Sequence, residues 1–176
     1  KKVGKSFKVL IDRGDKNKLL SFSLNEKPVA LQLGGSSPKL LANAARIGEE
    51  FGYDEINLNL GCPSKKVQKN KFGACLIKEP NLVAECLNAM HSKTKLPVTV
   101  KTRIGYNDVE DYERLFNFIN LLKSTGVKTF IIHARKAELG KFTQKQNLNI
   151  QPLKYEMVNN LKKDLKNLKI IINVDK

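Results

Sequence analysis

The stretch Asn57-Leu-Asn-Leu-Gly-Cys-Pro-Ser-Lys-Lys-Val-Gln68, followed by Phe72-Gly-Ala-Cys-Leu76, concentrates residues able to do chemistry. A strand read over Ile56–Leu60 ends at Gly61, which is expected to permit a tight exit. Pro63 then fixes the backbone after Cys62. The thiol is thereby held at the mouth of a strand. Taken alone, Cys62 has two readings, a proton-transferring thiol or a small buried residue closing a strand. Four other polar residues stand at corresponding places: Gln32, Lys101, His133 and Asn173, with Asn59 completing a set of five. Such a set is most simply read as one convergent polar site.

The elements that must position these residues are short. Five apolar segments read as strands: Val29-Ala-Leu-Gln-Leu33, Ile56-Asn-Leu-Asn-Leu60, Val98-Thr-Val-Lys-Thr102, Thr129-Phe-Ile-Ile-His133 and Lys169-Ile-Ile-Ile-Asn173. Helical patterns separate them. The first has Ser37 as N-cap, Pro38 at its first position and Leu40, Ala44, Ile47 and Phe51 on one face. A second runs from about Pro80, with Leu82, Val83, Cys86, Leu87 and Met90 as its stripe. A third covers about Glu110 to Ser124 and is stopped by Gly126, and a weaker fourth covers Tyr155 to Leu165. Strands alternating with single helices indicate a parallel sheet. The first 28 residues are basic and ambiguous.

Side-chain parity sharpens the site. In a strand, alternate residues point to opposite faces, so Asn57 and Asn59 oppose Ile56, Leu58 and Leu60, while Thr99, Lys101 and Arg103 oppose Val98 and Val100. Polar side chains thus gather at the C-terminal ends of the strands, where parallel α/β folds build their ligand sites. Strand starts spaced 27, 42, 31 and 40 residues apart would require roughly 280 residues for eight units, the usual size of a (β/α)₈ barrel. By length alone 176 residues suit an open doubly wound sheet better. No G-x-G-x-x-G or P-loop follows any strand, however.

Composition sets the remaining bounds. Lys plus Arg number 32 against 17 Asp plus Glu, for a net charge of +15, and 27 of the cations are Lys beside 17 Asn. The Lys–Asn pairing is what an AT-rich genome would produce, whereas a basic face is the electrostatic footprint of a polyanion binder. Three cysteines without a CxxC pair argue against a disulfide framework or a structural zinc site, and Cys75 and Cys86 read as core. His91 and Cys86 are too isolated to ligate a metal, and no metal is expected. No apolar run is long enough to span a bilayer. The chain starts at Lys1 without Met and stops after an apolar run, as a fragment would.

The motif NLNLGCPS, with VALQLGG before it and TVKTRIG and FIIHARKA after it, resembles the tRNA-dihydrouridine synthases, closest to the bacterial A-type enzymes. The resemblance runs from about Gly14 to Asn173 with four motifs in order. It implies a partial (β/α)₈ TIM barrel of about five consecutive strand-helix units, with the first and last barrel strands missing. Residues 1–176 would form part of the FMN-binding catalytic domain, without the C-terminal helical domain that helps hold tRNA. The implied activity is FMN- and NADPH-dependent reduction of uridine in the tRNA D-loop, in the cytoplasm or an organelle. Cys62 would be the general acid that protonates C5, a task suited to a thiol of free pKa about 8.5. Gln32, Lys101, His133 and Asn173 would hold FMN; Asn59 and Arg103 would contact the substrate nucleotide, and Arg135 and Lys136 the tRNA. The chain departs from the family in lacking a Pro-Met and Thr-Asp flavin motif, and in Leu148, Gln151 and the pair Asn173-Val174. A flavin barrel acting on a free pyrimidine and a non-catalytic RNA-binding remnant are the alternative readings.

Overall fold

A computed structural model describes residues 6–9, 15–140, 142–149 and 152–173; Gly14, Gln151 and Val174 lie outside them. Six strands form one parallel sheet: β1 (Ser6–Val9), β2 (Ala30–Leu33), β3 (Glu55–Leu60), β4 (Val98–Arg103), β5 (Thr129–His133) and β6 (Lys169–Asn173). Their spatial order is their sequence order. A doubly wound sheet must reverse strand order at a switch point, whereas a barrel adds each strand beside the last. The topology therefore decides for barrel order what chain length had left to the open sheet. Strand β1 extends the sheet beyond the five segments read from the sequence, pairing Ser6 with Ala30 and Val9 with Leu33.

One face of the sheet is apolar and carries the helices α2 (Pro38–Glu50), α4 (Pro80–His91), α5 (Tyr112–Ser124) and α7 (Tyr155–Asp164). Leu31, Leu33, Ile56, Leu58, Leu60, Val100, Phe130 and Ile132 are buried beneath them. Each such side chain contributes about 1.5–3 kcal/mol by leaving water. Helix α2 starts as expected, with the Ser37 side chain accepting from Leu40 N and Pro38 in the first turn. Its buried face is Leu41, Ala44, Ala45, Ile47 and Gly48. Leu40 is 51% exposed, because it sits about 100° round the helix from Leu41. Gly48 marks the closest approach to the sheet, since a Cβ there would lie 2.6 Å from Ile56 Cδ1.

Helix α5 begins two residues later than the periodicity suggests, because Asp111 caps it by accepting from Glu113 N. Gly126, at φ +101°, ends it. The ambiguous N-terminal region contains a short helix, α1 (Lys16–Leu20), and a 3-10 turn at Leu24–Glu26. Three further short elements decorate the C-terminal ends of the strands: α3 (Lys65–Lys69), a 3-10 turn over Gly73–Lys78, and α6 (Gln144–Asn149). Among the described residues no helix is long and apolar enough to cross a membrane.

Candidate active site

The sheet face turned away from the helices is polar. Register places Gln32 beside Asn57, Asn57 beside Thr99, Asn59 beside Lys101, Arg103 beside His133, and His133 beside Asn173. Gln32, Asn57, Asn59, Thr99, Arg103 and His133 are all buried, so each needs a partner. They supply much of this to one another. Asn59 Nδ2 donates to Gln32 Oε1 at 3.1 Å, Gln32 Nε2 to Asn57 Oδ1 at 2.8 Å, and Asn57 Nδ2 to Thr99 Oγ1 at 2.8 Å. The Thr99 hydroxyl donates in turn to Glu55 Oε1. The chain of bonds runs one way and ends on a carboxylate, which can only accept. That fixes every amide upstream and leaves Asn59 Oδ1 pointing at the loop that follows β3.

There Asn59 Oδ1 accepts from both Gly61 N and Cys62 N at 3.1 Å. Arg103 Nε donates to Gly61 O at 2.9 Å, holding the same peptide from its other side. The Cys62 carbonyl accepts from Ala74 N at 3.0 Å, closing the loop through α3. Gly73 makes this closure possible. It sits at φ +77°, and a Cβ would fall 2.5 Å from Cys62 O and from Val67 Cγ1. Gly61, expected to permit a tight exit from the strand, has no left-handed φ, and a Cβ there would meet Lys101 O at an ordinary 3.5 Å. Cys62 is half-buried, and its Sγ lies 3.7 Å from the Ser64 hydroxyl, which caps α3 by accepting from Val67 N.

Arg103 also reaches across to the segment after β5. Its Nη1 donates to Lys136 O at 3.0 Å and to Asn147 O at 3.2 Å, while the residue is only 3% exposed. Asn147 is fully buried. Its side chain accepts from Glu138 N and donates to Glu138 O and Thr143 O, so it ties Glu138 to the start of α6. Lys136 Nζ pairs with Glu138 Oε1 at 3.1 Å. Three donors beside these groups have no partner: Arg135 Nε, Arg135 Nη1 and Asn173 Nδ2 are buried without a hydrogen bond. A buried donor left unpaired costs about 1–3 kcal/mol. This corner of the rim is therefore shaped for an acceptor-rich group, and Lys101, half-buried one strand away, adds a cation.

The sequence expectations fall on this map as follows. Gln32, Asn59, Arg103, His133 and Asn173 share the polar face with Lys101, and Cys62 is mounted at its rim. Arg103 and Asn59 are engaged with the backbone that frames Cys62. Parity placed Asn57 and Thr99 on the polar face without giving them a role, and Glu55, which the same parity points to, escaped the sequence reading. Asn147 left no signal, being one Asn among 17. Away from the rim, Cys86 lies on the buried face of α4, where burial pushes its thiol up to about 11. Cys75, expected in the core, is half-buried and donates to Phe72 O at 3.1 Å. Among the described residues no three His, Cys, Asp or Glu side chains cluster as a metal site would require.

Comparison with known proteins places this arrangement. Residues 8–175 match the family described as Dihydrouridine synthase (Dus). A Synechocystis protein named tRNA-dihydrouridine(20/20a) synthase is 54% identical over 160 residues, which cover 91% of this chain and 48% of that one. Proteins of the same name from Shewanella oneidensis and Vibrio cholerae are 51% and 49% identical, each over 94% of this chain. The chain thus spans about half the length of the curated relatives it matches. Among solved structures, phosphonopyruvate hydrolase aligns over 90% of the chain at 10% identity, with a TM-score of 0.49.

Proposed function

This chain belongs to the dihydrouridine synthase family, and on that premise we propose that the full-length protein reduces uridine in tRNA to dihydrouridine, with FMN and NADPH as cofactors and Cys62 as the acid. The observation that carries the reading is the mounting of Cys62. Its own N–H, the N–H of Gly61 and the Gly61 carbonyl are held by buried side chains at the polar end of the strands. A thiol with so little freedom is preorganised to transfer a proton to one place.

The residues present fit FMN. Asn173 Nδ2 is an unpaired buried donor, and the flavin offers ring carbonyls and a phosphate as acceptors. Gln32, Lys101, His133 and Asn173 would hold it. Lys101 would balance negative charge at the ring edge. Once reduced by NADPH, bound FMN would supply the hydride that uracil accepts at C6. Cys62 holds the proton that C5 receives, so that the added pair amounts to two hydrogens across the C5=C6 bond. Asn59 and Arg103 keep the Cys62 loop in place beside the nucleotide, and Arg135 and Lys136 flank the path by which the tRNA strand enters. The uracil must leave its stack to reach such a buried face, and the pocket and its rim have to compensate for that unstacking. The remaining half of the protein would supply the other barrel strands and a helical tRNA-holding domain, with tRNA in the cytoplasm as the substrate pool.

The test is direct. Full-length protein is incubated with FMN, NADPH and an unmodified tRNA transcript, and the transcript is digested and weighed. One uridine in the D-loop is expected to gain two hydrogens. A protein that binds no flavin and leaves the transcript unchanged contradicts the reading.

A further inference from the structure

Charge is distributed unevenly near the Cys62 rim. Between Ile56 and Lys78 the chain carries five lysines, at 65, 66, 69, 71 and 78, and no Asp or Glu. Lys78 stands over the Tyr106 ring, 5.1 Å from its centre. The other four lie on α3 and the turn behind it, all exposed, and no carboxylate among the described residues pairs with them. Around the helix, Lys65, Lys66 and Lys69 fall within an arc of about 100°, roughly opposite the buried Val67.

Two details work against stability. Lys65 and Lys69 are like charges at i,i+4, which costs about 0.2–0.5 kcal/mol. Lys71 occupies φ +51°, a conformation that side-chain-bearing residues adopt uncommonly. A Lys-rich composition accounts for many lysines, but elsewhere several are matched: Lys27 with Asp54, Lys136 with Glu138, Lys154 with Glu110. The α3 lysines are also rigidly tied to Cys62. Gln68 Nε2 donates to Pro63 O at 2.8 Å, Val67 N to Ser64 Oγ at 3.3 Å, and Ala74 N to Cys62 O at 3.0 Å. Meanwhile Lys136, a motif-derived candidate for tRNA contact, has its ammonium beside a carboxylate and only 18% of its side chain exposed.

We propose that Lys65, Lys66, Lys69 and Lys71 form a docking surface for the sugar-phosphate backbone of the RNA that presents its uridine to Cys62. The inference rests on the tRNA reading above. It assigns the phosphate contacts to α3, where ammonium groups point outward without carboxylate partners. Contacts of this kind set register and orientation and read no base, so the surface would fix how the strand approaches the thiol.

The experiment compares two fourfold Lys→Gln variants of the full-length protein for affinity to an unmodified tRNA transcript over a salt series. One neutralises Lys65, Lys66, Lys69 and Lys71. The control neutralises Lys93, Lys95, Lys128 and Lys166, all exposed in the connections leading into β4, β5 and β6 at the opposite end of the sheet. Each phosphate contact contributes roughly 0.7–0.9 to the slope of log affinity against log salt. The α3 variant is expected to flatten that slope by about 3 and to bind at least about tenfold more weakly at low salt, the control barely changing either. Single Lys66→Glu and Lys69→Glu variants should each flatten it by about 1, a readout independent of the fourfold variant's solubility. An unchanged slope in the α3 variant, or equal changes in the two fourfold variants, overturns the docking surface alone. An unsubstituted protein without salt-dependent tRNA binding overturns the tRNA reading and the docking surface together.

Discussion

The two ends of the parallel sheet draw on similar residues and use them oppositely. Where the strands begin, polar groups are matched at short range: Asp54 accepts from Val29 N at 2.8 Å and pairs with Lys27, Glu49 accepts from Lys95 N, and Glu55 terminates the Thr99 bond. Where the strands finish, Arg135 and Asn173 keep buried donors unpaired, the α3 lysines lack carboxylate partners, and a thiol is held half-open. The carboxylates at the first end are matched by their own chain, whereas the buried Arg135 and Asn173 donors at the other are not. Buried donors without partners detract from stability, and proteins retain such groups chiefly where function uses them. The relay from Glu55 to Asn59 joins the two ends, letting the satisfied one orient the other.

The sharpest expected contrast concerns the thiols. Cys62 is half-buried at the rim, while Cys86 is on the buried face of α4 with its pKa pushed up to about 11 by desolvation. At pH 8 about a thousandth of such a buried thiol would be ionised, and thiolate is the reacting form. Iodoacetamide should therefore label Cys62 at least about 100-fold faster than Cys86, as read by peptide mass spectrometry over time. Comparable rates would erase the distinction between rim and helix layer.

Next in size is the loss of Arg103. Arg103→Met keeps much of the volume but leaves the Gly61, Lys136 and Asn147 carbonyls without this donor. A destabilisation of about 2–4 kcal/mol is expected in urea unfolding, accompanied by faster alkylation of Cys62 as its loop loosens. If the unfolding midpoint does not move, Arg103 is not the tie between the two loops.

The smallest effect lies in the helix layer. Burial lowers the pKa of His91, whose Nε2 has no hydrogen-bond partner. Above the free value of about 6.5 both folded and unfolded chains hold it neutral. Below that value the unfolded chain takes up a proton that the folded chain resists, so stability is lost as pH falls through this range. Denaturation at pH 8 and pH 5.5 should differ, and His91→Gln should reduce the difference. A variant with the same pH dependence would place the effect on other groups.

Much of this contrast could be read before any coordinates. Period-2 alternation separated Asn57 and Asn59 from Ile56, Leu58 and Leu60, because a strand buried on both faces still sorts polar from apolar. The cap at Ser37 and the stop at Gly126 were legible because both act within a few residues. Other features depend on distant neighbours. Arg103 finds its acceptors 42, 33 and 44 residues away, and nothing local distinguishes such a tie from a side chain waiting for substrate. Gly61 and Gly73 look alike in the sequence, yet only Gly73 has Cys62 O and Val67 packed where a Cβ would be. Strand β1 was missed because its four residues, Ser6–Val9, give too short an alternation within a basic segment. Chain length favoured the wrong topology because it cannot report strand order, which register settles.

Proton delivery to C5 by the Cys62 thiol is tested by a single-turnover comparison of full-length protein with its Cys62→Ala variant. Both are loaded with FMN, reduced with NADPH and mixed with unmodified tRNA. The variant is expected to retain flavin and tRNA binding but to form dihydrouridine at least about 100-fold more slowly, the scale of losing a general acid. Dihydrouridine formed at the unsubstituted rate would show that the thiol at the rim is not the proton donor.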